Sequence, residues 1–293
     1  MKSDRPIISY DNIHLSAKVS DILEEDLWVS DSFSLGMFTS IIDPVKFSAT
    51  AAILVKKGSC RADLNLIEYE IKAPCLVIIR SGQIMTPRSA SSDFDASFIV
   101  LSNKLTATLF ACINKSPAYT IINRTPVVPV DPNHLIHYAA LHNALRSILM
   151  EKDNPTGYEC VVHTLLAFFY RFGCSPYLKM ADDMPKSNGR IADRFVKLVQ
   201  EHFRQERFLD FYANELGISA KHLSRSVKAQ TGISAVNWIE RHVVLEAQVM
   251  LKSSKLNIQQ ISDELNFKSQ SFFGKYFKKF TGVSPKDYRN GHR

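Results

Sequence analysis

Between Ala213 and Gly282 one helical pattern occurs twice. The first copy runs Ala213 to Gly232 and the second runs Ser262 to Gly282. Leu216 matches Leu265 at an offset of 49, and Thr231-Gly232 matches Thr281-Gly282 at 50, so one residue is gained in the turn between. Repetition at such a period marks a duplicated supersecondary unit. Each copy reads as helix, tight turn, helix, the shape that presents a helix to the major groove of DNA.

Charge sorts with the repeat. Residues 186–293 hold 19 Lys and Arg against 10 Asp and Glu, a balance of +9, whereas residues 1–185 balance to −2, within a total of +7. A basic domain joined to a near-neutral one implies a polyanion-binding part attached to something else. The five cysteines, Cys60, Cys75, Cys112, Cys160 and Cys174, are odd in number and lack CxxC spacing. They read as small buried apolar residues in a reducing compartment, not as a disulfide framework or zinc site. No signal-peptide core follows Met1, and the apolar run Cys160–Tyr170 is too short to span a bilayer, so a soluble cytoplasmic protein with no membrane partner is expected.

Residues 1–130 read as short strands at 33–42, 47–55, 62–71, 75–80 and 96–101, with turns at Gly58-Ser59, Ala73-Pro74, Ser81-Gly82 and Pro87-Arg88-Ser89. Strands so spaced suggest a sandwich or small barrel. A helical stretch follows from Lys104 to Ile113. At Asp131-Pro132 the period changes: Asp131 can cap a helix and Pro132 suits its first turn. Leu135, Ile136, Ala139, Ala140, Leu145, Ile148 and Leu149 recur at helical spacing. With a second apolar helix from Pro155 to Phe172, residues 131–174 form a hairpin able to bury a face against the strands, against another copy of the chain, or in part against each. Residues 175–189 are polar, contain two prolines and read as a linker.

Residues 190–293 form the reader domain. An amphipathic helix carries Ile191, Phe195, Leu198, Val199 and Phe203. In the first unit Gly217 makes the turn, Ser219 caps the helix Ala220–Gln230, and Leu223 and Val227 point inward. A long helix, Ala235–Ser253, joins the units with Val236, Ile239, Val243, Ala247 and Met250 as its buried stripe. In the second unit Asn257 and Ser269 cap the two helices, and Phe273, Tyr276 and Phe277 point inward. Outward positions are Ser219, Lys221, His222, Ser224, Arg225 and Lys228 in the first unit. In the second they are Ser269, Gln270, Ser271, Phe272, Gly274, Lys275 and Lys278. Arginine and lysine pair with guanine O6 and N7, glutamine pairs with adenine, and serine bonds base edges or phosphates. Gly274 permits close backbone approach, and Phe272 can meet a thymine methyl. His222 suits packing or a phosphate better than a base, and Lys228, Lys278 and Lys279 suit phosphates.

The stretches His222–Lys228 with Thr231-Gly232, and Ile261–Phe267 with Phe272–Pro285, resemble the AraC/XylS family of bacterial transcription regulators, over about Ile191 to Tyr288. The resemblance implies seven helices whose two reading helices enter successive major grooves, and transcription control, usually activation, through RNA polymerase. By position, Lys221, Ser224 and Arg225 match contact places of the family, as do Ser271 and Lys275. The family often has glutamine and arginine at these last two places, which leaves the second helix's target bases open. The resemblance also implies an N-terminal cupin-like barrel that senses a small molecule and a helical hairpin that makes a homodimer. The expected fold is therefore α+β, with a cupin-like barrel and hairpin followed by an all-α double helix-turn-helix domain.

An enzyme is not expected. A metal-dependent cupin needs histidines and a carboxylate on barrel strands, and no histidine lies between His14 and His134. His134, His137 and His142 share a helix without a carboxylate a turn away, and no phosphate loop, GxSxG elbow or Cys-His motif is present. No cofactor and no metal are expected, and no effector-binding residue is assigned. Two readings of the first domain stand: a small-molecule sensor, or a domain that only dimerises or meets a protein partner.

Overall fold

A computed structural model describes residues 21–23, 26–34, 36, 43–113, 126–151, 153–174 and 188–291. The expected strand 33–42 and linker 175–189 fall mostly outside these residues. The N-terminal strands are β1 (Asp21–Leu23), β2 (Leu27–Ser34), β3 (Val45–Lys46), β4 (Thr50–Lys57), β5 (Ser59–Leu64), β6 (Ile67–Lys72), β7 (Cys75–Ile79), β8 (Ile84–Ala90), β9 (Asp95–Leu101) and β10 (Val127–Pro129). They pair antiparallel in two sheets, ordered β1-β2-β9-β4-β7-β10 and β3-β8-β5-β6. Among the described residues the strands make two facing sheets and no closed barrel.

The two-residue alternation of strands explains how the larger sheet is buried on both faces. Trp28, Val55, Val77, Phe98 and Val100 point inward toward Cys60, Ala62, Leu64, Ile71 and Met85 of the smaller sheet. Their neighbours Leu27, Val29, Leu54, Leu76 and Ile99 point outward. That outward face is covered by α1 (Asn103–Ile113) and by the hairpin of α2 (Leu135–Met150) and α3 (Gly157–Phe168), through Leu105, Leu109, Tyr138, Leu145, Leu149, Val161 and Leu165. Each such side chain contributes roughly 1.5–3 kcal/mol on leaving water. Polar ties fix the hairpin: Ser97 Oγ donates to Tyr138 Oη at 3.1 Å, and His142 Nδ1 lies 3.0 Å from Asp31 Oδ1. Asp131 caps a 3-10 turn before α2 by accepting from the Asn133 N–H at 2.9 Å, and a π-helical turn, Phe169–Cys174, follows α3.

Two strand expectations are corrected. The run 62–71 is a hairpin of β5 and β6 that turns at Asn65 and Leu66, both at positive φ. A strand that was not expected, β2, runs over Leu27–Ser34. Residues 87–89, expected as a turn, lie inside β8, where Pro87 stands beyond the two residues of β8 that pair with β3. A proline without an N–H fits a strand there because no ladder bond is demanded on that side. Cys60 and Cys75 are buried, and burial pushes their thiols up to about 12 and about 11, whereas Cys112 is exposed and Cys160 half-buried.

Seven helices follow among the described residues: α4 (Asn188–His202), α5 (Leu209–Glu215), α6 (Ala220–Thr231), α7 (Ala235–Ser253), α8 (Ile258–Glu264), α9 (Gln270–Thr281) and α10 (Pro285–Asn290). Asn188 and Gly189, read as linker, are already helical. One core runs through them, with Phe195, Tyr212, Leu223, Val227 and Trp238 toward the first unit and Ile261, Leu265, Phe273, Phe277 and Tyr288 toward the second. The smaller sheet docks on α7. Ile84 and Leu66 meet Leu245 and Val249, and Lys46 Nζ lies 2.5 Å from Glu246 Oε1. Asp43 meets the Tyr288 hydroxyl at 3.4 Å and Lys252 Nζ at 3.7 Å. This contact corrects the expected stripe of α7. Val236 is 45% exposed and Met250 half-buried, while Trp238, Val244, Leu245, Glu246 and Val249 are buried, because α7 is covered from two sides.

Candidate nucleic-acid interface

The two reading helices, α6 and α9, are built alike from local chemistry. Both have 12 residues. Each begins at a serine whose side chain accepts a backbone N–H three residues on, Ser219 from His222 and Ser269 from Phe272, both at 3.2 Å. Such a cap satisfies one of the unpaired donors of a helix start. Each ends at a left-handed glycine, Gly232 (φ 79°) and Gly282 (φ 80°). A second serine, Ser234 or Ser284, then caps the next helix. Asn257 starts α8 with a full capping box, its side chain accepting from the Gln260 N–H while Gln260 accepts from the Asn257 N–H.

The extra residue of the second copy lies in the turn that leads into the reading helix. Gly217 (φ 66°) and Asn266 (φ 53°) occupy the same left-handed position. Ile218 N–H donates to the Ala213 carbonyl and Phe267 N–H to the Ser262 carbonyl, at 3.0 and 2.9 Å. From there the first unit needs one residue, Ser219, to reach α6, and the second needs Lys268 and Ser269 to reach α9.

Lys221, His222, Arg225 and Lys228 are exposed on α6, with Ser224 half-buried. On α9, Gln270, Ser271, Phe272, Lys275, Lys278 and Lys279 are exposed, with Gly274 half-buried. Among the described residues, none of Lys221, Arg225, Lys228, Lys275 and Lys278 is in a salt bridge, although Lys197 pairs with Glu201 and Arg204 with Glu264 nearby. Their charges are available to an external anion. Phe272 is 55% exposed, an apolar ring that touches the core at its edge, 6.1 Å from Phe267, and shows the rest to solvent. A Cβ added at Gly274 would meet nothing within 4 Å, so packing inside the chain does not require glycine there. Ser219 and Ser269 spend an acceptor on capping and keep the hydroxyl proton for another partner.

The connecting helix sets the scale. At 19 residues α7 is about 28 Å long, comparable with the roughly 34 Å of one turn of B-DNA. α6 packs at the start of α7, and α9 packs on it as well. Inside α7, His242 lies between Phe203 (5.0 Å) and Trp238 (5.5 Å, stacked). Burial, and then the charge of Lys46, pull the His242 imidazole down to about 3. It is a neutral core residue at physiological pH. Sequence reasoning missed it, and also missed Glu246, since Phe203 covers the one and Lys46 of the smaller sheet meets the other, and neither partner is near in sequence.

His134 and His137, whose rings lie 6.1 Å apart, join no group of three or more potential ligands, and no such group occurs among the described residues. No helix among the described residues is long and apolar enough to cross a membrane.

Comparison with known proteins agrees with this geometry. Residues 212–291 match the family described as "Helix-turn-helix domain". The arabinose operon regulatory protein of Salmonella typhimurium is 28% identical over 108 residues, covering 36% of this chain and 38% of that protein. The HTH-type transcriptional activator RhaR of Escherichia coli is 26% identical over 106 residues, again covering 36% and 38%. The chain thus matches less than half the length of these regulators. The structure of ToxT from Vibrio cholerae is similar over 90% of this chain and 98% of that one, at 15% identity and a TM-score of 0.44. The C-terminal domain of AraT, a response regulator from Geobacillus stearothermophilus, is 32% identical over 36% of this chain and 88% of that one, with a TM-score of 0.34. The C-terminal domain of this protein is a helix-turn-helix domain with two such units, similar to the matched parts of these regulators.

Proposed function

We propose that this protein is a sequence-specific transcription regulator that binds double-stranded DNA with α6 and α9 in successive major grooves. The observation that carries this reading is the pair of matching helices, each with free cations outward, joined by a single helix about as long as a turn of DNA. Arg225 and Lys275 are assigned to base edges, together with Lys221, Ser224, Gln270, Ser271 and the Phe272 ring. Lys228, Lys278, His222 and the capping hydroxyls of Ser219 and Ser269 are assigned to phosphates, where helix starts favour anions. Gly274 lets the backbone of α9 approach the groove. Selection from random duplexes with the full chain tests the proposal. A recovered two-box motif, with affinity falling steeply as salt rises because phosphate contacts release counterions, is the expected outcome. Absence of any enriched sequence would overturn it.

The finer reading follows the named relatives, one of which is an activator: this chain activates through RNA polymerase, as a homodimer joined by its hairpin. Ile136 and Met150 of α2 and Tyr158 of α3, large apolar residues left exposed beside the sheet contact, support that assignment. The N-terminal domain bears on α7 through Ile84 and Lys46, which gives it a physical route to the readers. A small-molecule effector is the first reading of that domain. The aromatic fill between its sheets, Trp28, Phe47, Phe94 and Phe98, favours the second, in which the domain acts by contact alone. A metabolite thermal-shift screen separates them, because a ligand of the folded state raises the melting temperature.

A further inference from the structure

The two readers are joined by more than α7. Arg207 lies in the turn between α4 and α5, ahead of the first unit. Its guanidinium carbon stands 3.9 Å from the centre of the Phe267 ring, and its Nη2 donates to the Leu265 carbonyl. Both partners belong to the turn of the second unit. Leu265 ends α8, where the last carbonyls have no partner within the helix, so a cationic donor is suited to that place by hydrogen bonding and by the helix dipole. Phe267 is itself held by α9, its ring 5.1 Å from Phe273 and 5.2 Å from Tyr276. Tyr212 of α5 also lies within electrostatic reach of Arg207, as does Tyr276. Burial pulls the guanidinium pKa down from its ordinary value, which marks the junction as partly closed to water.

We propose that Arg207 is a positioning residue that fixes the second reading helix relative to the first, and so sets the spacing of the two DNA boxes the protein accepts. The inference rests on the DNA-binding reading above. Along α7 the second unit is held by apolar contacts, which are non-directional, and by bonds from Tyr276 and Arg289 to the Glu240 and Leu251 carbonyls, all of which attach it to α7 itself. The Arg207 contact combines a ring face with a carbonyl lone pair and is directional. It ties the second unit's turn to a segment that precedes the first unit, which gives the pair two attachments where α7 alone provides one. With two attachments, α9 cannot pivot about α7. One added base pair moves the second box by about 3.4 Å along the axis and turns it by about 34°, which a fixed pair cannot follow and a hinged pair can. Arg204, from the same turn, reaches Glu264 of α8 at 3.4 Å, but that pair is exposed and adds little.

The test uses the full chain and the two-box duplex recovered by random selection, together with derivatives that gain or lose one base pair between the boxes. The wild type should lose about tenfold or more in affinity on either change, the size of a mismatched site. Arg207→Met should lose only about threefold on the same changes while keeping the affinity for the parent duplex within about threefold. Phe267→Leu, which removes the ring but keeps apolar bulk, should relax spacing in the same way, and Arg207→Lys should fall between. A wild-type spacing penalty in both Arg207→Met and Phe267→Leu would overturn the inference and leave DNA binding intact. Loss of folding in both variants would assign the junction to core stability and overturn it as well. Failure of the wild type to enrich any duplex would instead overturn the DNA-binding reading, and this one with it.

Discussion

The first and second helix-turn-helix units share a frame and differ in almost everything they show to solvent. Serine caps, left-handed glycines and inward positions recur at an offset of 50: Leu223 stands where Phe273 does, Val227 where Phe277 does, and Trp238 where Tyr288 does. Outward, Lys221 and His222 correspond to Ser271 and Phe272, and Ser224 to Gly274. Arg225 with Lys275, and Lys228 with Lys278, are the outward positions that stay cationic in both units. The frame is held by capping bonds and buried apolar area, which tolerate few residue types. Apart from the capping serines and the Phe272 ring, the outward residues take no part in that frame and are free to diverge. The difference shows which residues answer to folding and which to a partner.

Four changes break or sharpen that comparison. The largest effect should come from the matched core positions. Leu223→Ala should cost about 2–5 kcal/mol and Phe273→Ala about 3–5 kcal/mol, as cavity-forming changes do. Hydrogen exchange in α6 and α9 reads both; equal loosening of both helices by either change would show one cooperative body in place of two linked units. Next, Arg225→Ala and Lys275→Ala should each weaken binding to the selected duplex by about 1–3 kcal/mol if they read bases. Equal losses on random DNA would confine both to phosphates. Third, the connecting helix carries a buried imidazole, His242, against Phe203 and Trp238 on the side of the first unit. Because His242 is held at about 3 in the folded chain, against 6.5 ordinarily, the unfolded chain binds the proton first as pH falls. Stability should therefore drop by roughly 1.4 kcal/mol per unit of pH below 6.5 down to about 3. His242→Phe should flatten that slope in a thermal-melt series, and an unchanged slope would remove His242 as its source. Smallest, Ser219→Ala and Ser269→Ala should each cost about 1 kcal/mol of stability. Thermal melts of the two variants would show whether the caps are worth the same in both units.

Much of the reader domain was legible because its signals are local. Ser219, Ser234, Asn257, Ser269 and Ser284 lie next to the helices they cap, and the 3.6-residue period of Leu223 with Val227, or of Phe273 with Phe277, names the inward face directly. The N-terminal sheets were harder to read. Pro87 looked like a turn because its tolerance in β8 depends on where β3 stops pairing. Asn65 and Leu66 were hidden because the turn they make at positive φ uses neither glycine nor proline.

From the amino-acid pattern alone came the duplication, the caps, the outward cations and the division between a basic and a near-neutral part, since each depends on residues a few positions apart. Tertiary contact alone decided the burial of His242 and Glu246, the exposure of Val236, and the seating of Arg207 on Phe267. Those outcomes depend on partners such as Lys46 or Leu265, far away in sequence, and no local period carries information about which distant surface will cover a helix face.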